Sequence, residues 1–244
     1  MATRHGRSRR SARLRCEVLE QRDNPAAVTA LDFGAGFTPD RLPGGLPAGY
    51  AAGDLLLTDG PFQARAVWAP TPVRVRTFHT SFVFQQGEDN PASNGAKGDG
   101  FTFALVSSNY PPRSGVAGGG LGYQGLTESV AVKFDLVDNA GEGTDSVGVF
   151  TGGADPTTPA DRLPAGMHLN SGDVFRVGLT YAAGVLHLDL QDTATGASFA
   201  RSYAVDIAGA VGGPTAYAGF TAGTGSLSAP IEILDWTYTP AANS

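Results

Sequence analysis

Apolar residues in this chain recur at every second position in short runs, and most runs end in a turn containing glycine or proline. Side chains that alternate in this way stand on opposite faces of an extended strand, so each run presents one face to a core. In residues 77–85, Phe78, Thr80, Phe82 and Phe84 share one face, while His79, Ser81 and Val83 take the other. Phe101, Phe103 and Leu105 repeat the pattern. Val130, Val132, Phe134 and Leu136 form another apolar face, whose reverse carries Ser129, Ala131, Lys133 and Asp135 toward an expected outer side. Residues 175–181 and 185–191 alternate again across Ala182, Ala183 and Gly184, a hairpin signal in which Gly184 supplies the permissive backbone. Runs at 198–205, 216–221 and 231–239 complete the series. With 34 Gly and 16 Pro spread over 244 residues, long helices have little room. The expected fold class is all-β, a two-sheet antiparallel β-sandwich. The expected organisation is a leader at 1–25, one sandwich domain at 26–240 and a tail at 241–244.

Charge narrows the function classes. Seven arginines against Glu17 and Glu20 give residues 1–22 a charge of +5, which leaves −11 on the rest of a chain whose net charge is −6. An acidic body whose only lysines are Lys97 and Lys133 lacks the clustered cations of a nucleic-acid surface. Cys16, the one cysteine, permits neither a disulfide framework nor a thiolate metal cluster in the body. No apolar run approaches the roughly 18 residues of a membrane-spanning helix. The four histidines, at 5, 79, 168 and 187, are too scattered to suggest a nucleophile triad or a zinc site.

Several segments carry more than a fold. They are residues 78–84 (FHTSFVF), 98–105 (GDGFTFAL), 118–123 (GGGLGY), 129–136 (SVAVKFDL), 220–225 (FTAGTG) and 231–236 (IEILDW). In this order and spacing they resemble an L-type, or legume-type, lectin domain across roughly residues 28–240. That resemblance implies a concanavalin-like jelly roll which binds carbohydrate and is not an enzyme.

The resemblance also implies site residues. Asp99 matches the aspartate that accepts hydrogen bonds from two sugar hydroxyls, a task suited to an acceptor-only carboxylate. The peptide before it is expected to be cis. Gly119 and Gly120 match the glycine loop that brings a backbone N–H close to the sugar, where a Cβ would obstruct. Asn139, four residues after Asp135, matches an asparagine whose amide faces sugar on one side and calcium on the other. Gly223 and Thr224 fall in the loop that varies with specificity. As alternatives, Asp99 could open a β-turn, the glycines could form a flexible link, and Asn139 could sit in an ordinary turn.

The metal pattern departs from the family. Lys133 stands where the resemblance calls for glutamate, Glu142 where it calls for a second aspartate, and Ser146 where it calls for histidine. An ammonium beside Asp135 repels a divalent cation, so the transition-metal site is expected to be lost. Calcium remains open. Asp135, the Val137 carbonyl, Asn139, and Glu142 or Asp145 offer oxygen ligands, and a Lys133–Asp135 ion pair is the alternative. Tyr110, Tyr123 and Phe150 are candidate aromatic platforms for a sugar ring.

Two other functions compete with carbohydrate binding. A glycoside hydrolase of this fold needs two carboxylates about 5 to 9 Å apart, commonly alternating on one strand. Asp135 is instead accompanied by Lys133, and Asp189 has no second carboxylate beside it within residues 187–191. A lectin-like adhesion protein that has lost sugar binding is the second rival. Residues 13–22 (RLRCEVLEQR) resemble the leader of certain bacterial surface proteins, and a disordered basic tail is the alternative reading. The leader and the lectin resemblance together imply an extracellular or surface-displayed protein whose partner is a glycan or polysaccharide.

Overall fold

The computed structural model describes residues 38–39, 49–51, 54–87 and 97–241. The expected leader at 1–25 lies outside the described residues, as does the tail beyond residue 241. The strands in chain order begin with β1 (Thr38–Pro39), β2 (Gly49–Ala51), β3 (Asp54–Thr58), β4 (Ala64–Trp68) and β5 (Val73–Arg74). They continue with β6 (Phe78–Gln86), β7 (Gly100–Ser107), β8 (Ser129–Asp135), β9 (Ser146–Thr151) and β10 (Asp161–Arg162). The last are β11 (Val174–Ala182), β12 (Val185–Asp192), β13 (Ser198–Ala204), β14 (Thr215–Gly223) and β15 (Ile231–Pro240). One sheet runs β1–β4–β14–β7–β8–β9–β10, with β5 also against β14, and the other runs β13–β12–β11–β6–β15–β3–β2. All pairings are antiparallel, so the chain is the two-sheet sandwich that the alternation implies.

The inner faces meet through phenylalanines. Phe82 on β6 lies edge-on to Phe220 on β14 at 5.1 Å and to Phe134 on β8 at 5.7 Å, while Phe84 stacks on Phe175 at 5.2 Å. Each such ring contributes about 1.5–3 kcal/mol by leaving water, and edge-on geometry adds to that. Thr80 sits within this apolar face because both of its polar needs are met. Its hydroxyl donates to the Thr237 carbonyl at 2.6 Å and accepts from Trp236 Nε1 at 2.9 Å.

The reverse of β8 corrects one expectation. Lys133 and Asp135 do point away from the main core, but they are buried, because loops cover this side of the first sheet. Ala66, Trp68, Ala104, Ala131, Tyr123, Leu126 and Phe150 form a second apolar cluster there. Every residue of β7 and β8 is therefore buried although the residues alternate, large on the inner face and small or polar on the outer. A helical turn absent from the sequence reading, α1 (Ile207–Ala210), is capped by Asp206, whose carboxylate accepts the Gly209 N–H at 2.9 Å.

Candidate functional site

The β7 entry, the glycine turn, the β8–β9 loop and the β14 exit meet at one end of the first sheet. The Gly98–Asp99 peptide is cis, and Asp99 follows it directly into β7. Two backbone bonds fix Asp99: its N–H donates to the Gly223 carbonyl at 3.2 Å, and its carbonyl accepts the Leu136 N–H at 2.8 Å. Its side chain is 7% exposed, and Oδ1 accepts the Gly225 N–H at 2.5 Å. Burial pushes this carboxyl above its ordinary value, and the Gly225 N–H offsets part of the rise.

Residues Gly118–Gly120 form one turn of 3-10 helix across this carboxylate. A Cβ on Gly118 would stand 3.9 Å from Asp99 Oδ2. On Gly119 it would collide with Asn139, 2.6 Å from Oδ1. Only a bare backbone lets the asparagine approach this closely. Asp99 and Asn139 therefore both stand against the Gly118–Gly120 turn, Asp99 buried and Asn139 exposed. Gly120 is buried on the other side of the turn, against Val116 and Gln124.

Gly223 and Thr224 hold Asp99 and the glycine turn through their carbonyls. The Gly223 carbonyl holds Asp99, as described, and the Thr224 carbonyl accepts the Gly118 N–H at 3.2 Å. The Thr224 side chain is buried and turned away, donating to the Gly60 carbonyl at 2.7 Å and accepting the Gln63 N–H at 2.9 Å. Gly225, the next residue, is the one whose N–H reaches the carboxylate.

The three candidate carboxylate ligands accept hydrogen bonds from within the chain. Asp135 Oδ2 accepts from Lys133 Nζ at 3.0 Å, and Oδ1 accepts the Val137 N–H at 3.1 Å. Glu142 caps its own loop, taking the Asn139 N–H at 3.1 Å and the Ala140 N–H at 2.6 Å. Asp145 turns toward the Leu169 N–H at 2.9 Å and His168 Nδ1 at 3.0 Å. Ser146, the register partner of Asp135, is buried with a hydroxyl that has no hydrogen-bond partner, and a neutral hydroxyl is a weak ligand. Among the described residues no three His, Cys, Asp or Glu side chains converge on a cation position. The residues present do not fit the family's metal pair.

The aromatic candidates divide as well. Tyr123 is fully buried, its hydroxyl accepting from Ser129 Oγ at 3.0 Å and from the Gly153 N–H at 3.1 Å. Phe150 is buried beneath Lys133, 5.5 Å from Nζ. Tyr110 is exposed beside Pro111, Pro112 and Arg113 on a separate surface. Phe62, absent from the sequence reading, is 76% exposed, and its N–H donates to the Gly225 carbonyl at 2.8 Å. Its φ of +56° is uncommon for an aromatic residue. The sequence offered no periodic signal for Phe62, because it lies in a turn between strands.

The two-sheet antiparallel jelly roll is the fold of the legume lectins, a class of carbohydrate-binding, non-enzymatic proteins. The family model of the legume lectin domain matches residues 62–244, and the chain belongs to that family. No curated protein matches it. Among solved structures it is similar to basic winged bean lectin with Tn-antigen, at a TM-score of 0.74 and 20% identity over 89% of this chain and 98% of that one. The lectin from Bauhinia forficata in complex with GalNAc has a TM-score of 0.72 at 19% identity, over 90% and 98%. Arcelin-5, a lectin-like defense protein from Phaseolus vulgaris, has a TM-score of 0.70 at 17% identity, over 89% and 98%. Among the described residues no helix is long and apolar enough to cross a membrane.

Proposed function

We propose that this chain is an extracellular or surface-displayed lectin that binds one sugar ring in the hollow between Asp99, the Gly119 backbone and Asn139. The observation that carries the reading is the clash distance at Gly119, 2.6 Å, which places Asn139 against the same turn that faces Asp99. The carboxylate accepts from two hydroxyls, and the asparagine amide and the glycine backbone supply donors. The Phe62 ring offers the apolar surface on which the C–H face of a sugar rests. Gly225 positions both Phe62 and Asp99 through its carbonyl and its N–H.

A glycan array tests the proposal, with galactose- and GalNAc-terminated glycans as first probes because similar lectins are described with GalNAc or methyl-α-D-galactose. Asp99→Ala should weaken the strongest hit at least about 100-fold, since two charge-assisted hydrogen bonds of about 1.5–3 kcal/mol each are lost. Its melting temperature should stay within a few degrees. Equal affinity in the folded variant would sink the site. An array without hits would instead favour the lectin-like adhesion reading.

A further inference from the structure

We propose that Lys133 is a resident cation which orders the sugar-binding loops, so that binding at this site needs no calcium. The inference rests on the carbohydrate-binding reading for its functional half only.

An ammonium has three N–H donors and no acceptor. Lys133 is 0% exposed, and all three donors have partners: Asp135 Oδ2 at 3.0 Å, the Pro156 carbonyl at 2.7 Å and the Thr157 carbonyl at 2.9 Å. Taking such a charge out of water costs several kcal/mol unless every donor is matched and a counter-charge is present. Here every donor is matched, and the Asp135 carboxyl lies at 3.0 Å, pushed up to about 7 by burial with Lys133 offsetting part of the rise. The arrangement resembles a small cation shell, with one carboxylate and two carbonyl oxygens around a positive centre.

The bonds then lead outward to the sugar site. Asp135 passes the constraint to the Val137 N–H through its second oxygen, at the start of the loop that carries Asn139. The adjacent Leu136 N–H binds the Asp99 carbonyl, so one strand end holds both polar walls of the hollow. From the other direction, Lys133 fastens the 156–157 segment over β8 and β9. A divalent cation on Asp135 would have to sit within a few ångströms of the ammonium, where their repulsion in a buried setting is worth several kcal/mol.

Two measurements test this, and the first needs neither sugar nor variant. Calcium chloride titrated into the wild-type chain by calorimetry should show no saturable binding. The melting temperature in EDTA and in millimolar calcium should agree within about 1 °C. Saturable calcium binding with a raised melting temperature would overturn the proposal. Affinity for the array's strongest glycan should change less than about twofold between the same two buffers, and an EDTA-sensitive affinity would equally overturn it.

The second measurement uses Lys133→Glu, which sets a carboxylate beside Asp135 and leaves both without a counter-charge. In EDTA the variant should melt about 10 °C lower, and calcium should restore part of that loss, which a lysine serving only as filler would not produce. A folded variant as stable as wild type in EDTA, or one indifferent to calcium, would count against Lys133. Should it fail to fold, the wild-type calcium titration decides. If wild type binds no glycan at all, the carbohydrate reading fails, while the calcium titration still answers the question about Lys133.

Discussion

Phe62 and Asp99 occupy the two ends of a short chain of bonds through Gly225. In the proposed site the carboxylate is to supply acceptors and the ring is to supply surface. Because Phe62 is largely exposed, its removal costs the fold little. Phe62→Ala should weaken glycan affinity about fivefold with an unchanged melting temperature, the effect of one aromatic contact of about 1 kcal/mol. Phe62→Trp should retain binding and gain a reporter, since the two native tryptophans, Trp68 and Trp236, are both buried. Added glycan should then shift or quench the emission of that variant but not of wild type, and an unresponsive variant would remove Phe62 from the site. That Asp99, Gly119 and Asn139 meet around one turn was legible because each sits at a fixed offset within a motif. Phe62 was not, because its place depends on the Gly225 carbonyl, more than 150 residues away in sequence. Thr224 was legible as a position but not as a direction: its hydroxyl serves Gly60 and Gln63 rather than the hollow.

At the scale of elements, the β11–β12 hairpin shows where backbone chemistry can be improved. Ala183 and Gly184 are the two turn residues, with φ of +50° and +79°. Two positive φ values in a two-residue loop define the turn type that favours Asn-Gly. Alanine in that conformation carries a strain of about 1–2 kcal/mol, which asparagine tolerates better. Ala183→Asn should stabilise the chain by about 1 kcal/mol, seen as a higher midpoint in urea at constant slope. A lower midpoint would show that the turn constrains the side chain in another way. The strands were readable from alternation because burial of one face imposes a period of two. The second apolar layer over β7 and β8 was not, since a reverse face of Ala104, Ala131, Lys133 and Asp135 gives no sign in sequence of whether water or a loop lies above it. Covering loops also explain why Lys133, expected on an outer side, is buried. The short α1 escaped notice because four residues are too few to show helical periodicity.

At the scale of the whole molecule, burial opposes the ionisation of three tyrosines, Tyr123 and Tyr238 fully buried and Tyr203 half-buried, which predicts a loss of stability in alkali. Tyr238 is fully buried between the sheets and donates to the Arg74 carbonyl at 2.7 Å, and burial pushes its ionisation far above the ordinary value. Tyr203 rises through burial and then through the Asp161 carboxylate that accepts its proton at 3.0 Å, with Arg201 lowering it in part. Tyr123, under the second apolar layer, is raised by burial and partly relieved by its bonds with Ser129 and Gly153. All three shifts have the same sign: the folded value exceeds the unfolded value of about 10. Each group therefore contributes stability that is fully present below about pH 10 and is lost as pH rises through that value toward the folded one. For Tyr238 alone the loss approaches about 1.4 kcal/mol per pH unit in that range. The melting temperature should fall steeply above pH 10. Tyrosinate absorbance from the fully buried Tyr123 and Tyr238 should appear together with the loss of β-sheet circular dichroism. If the full tyrosinate signal developed while the sheet signal stayed intact, these hydroxyls would be reaching solvent in the folded chain, and their burial would not be what limits it.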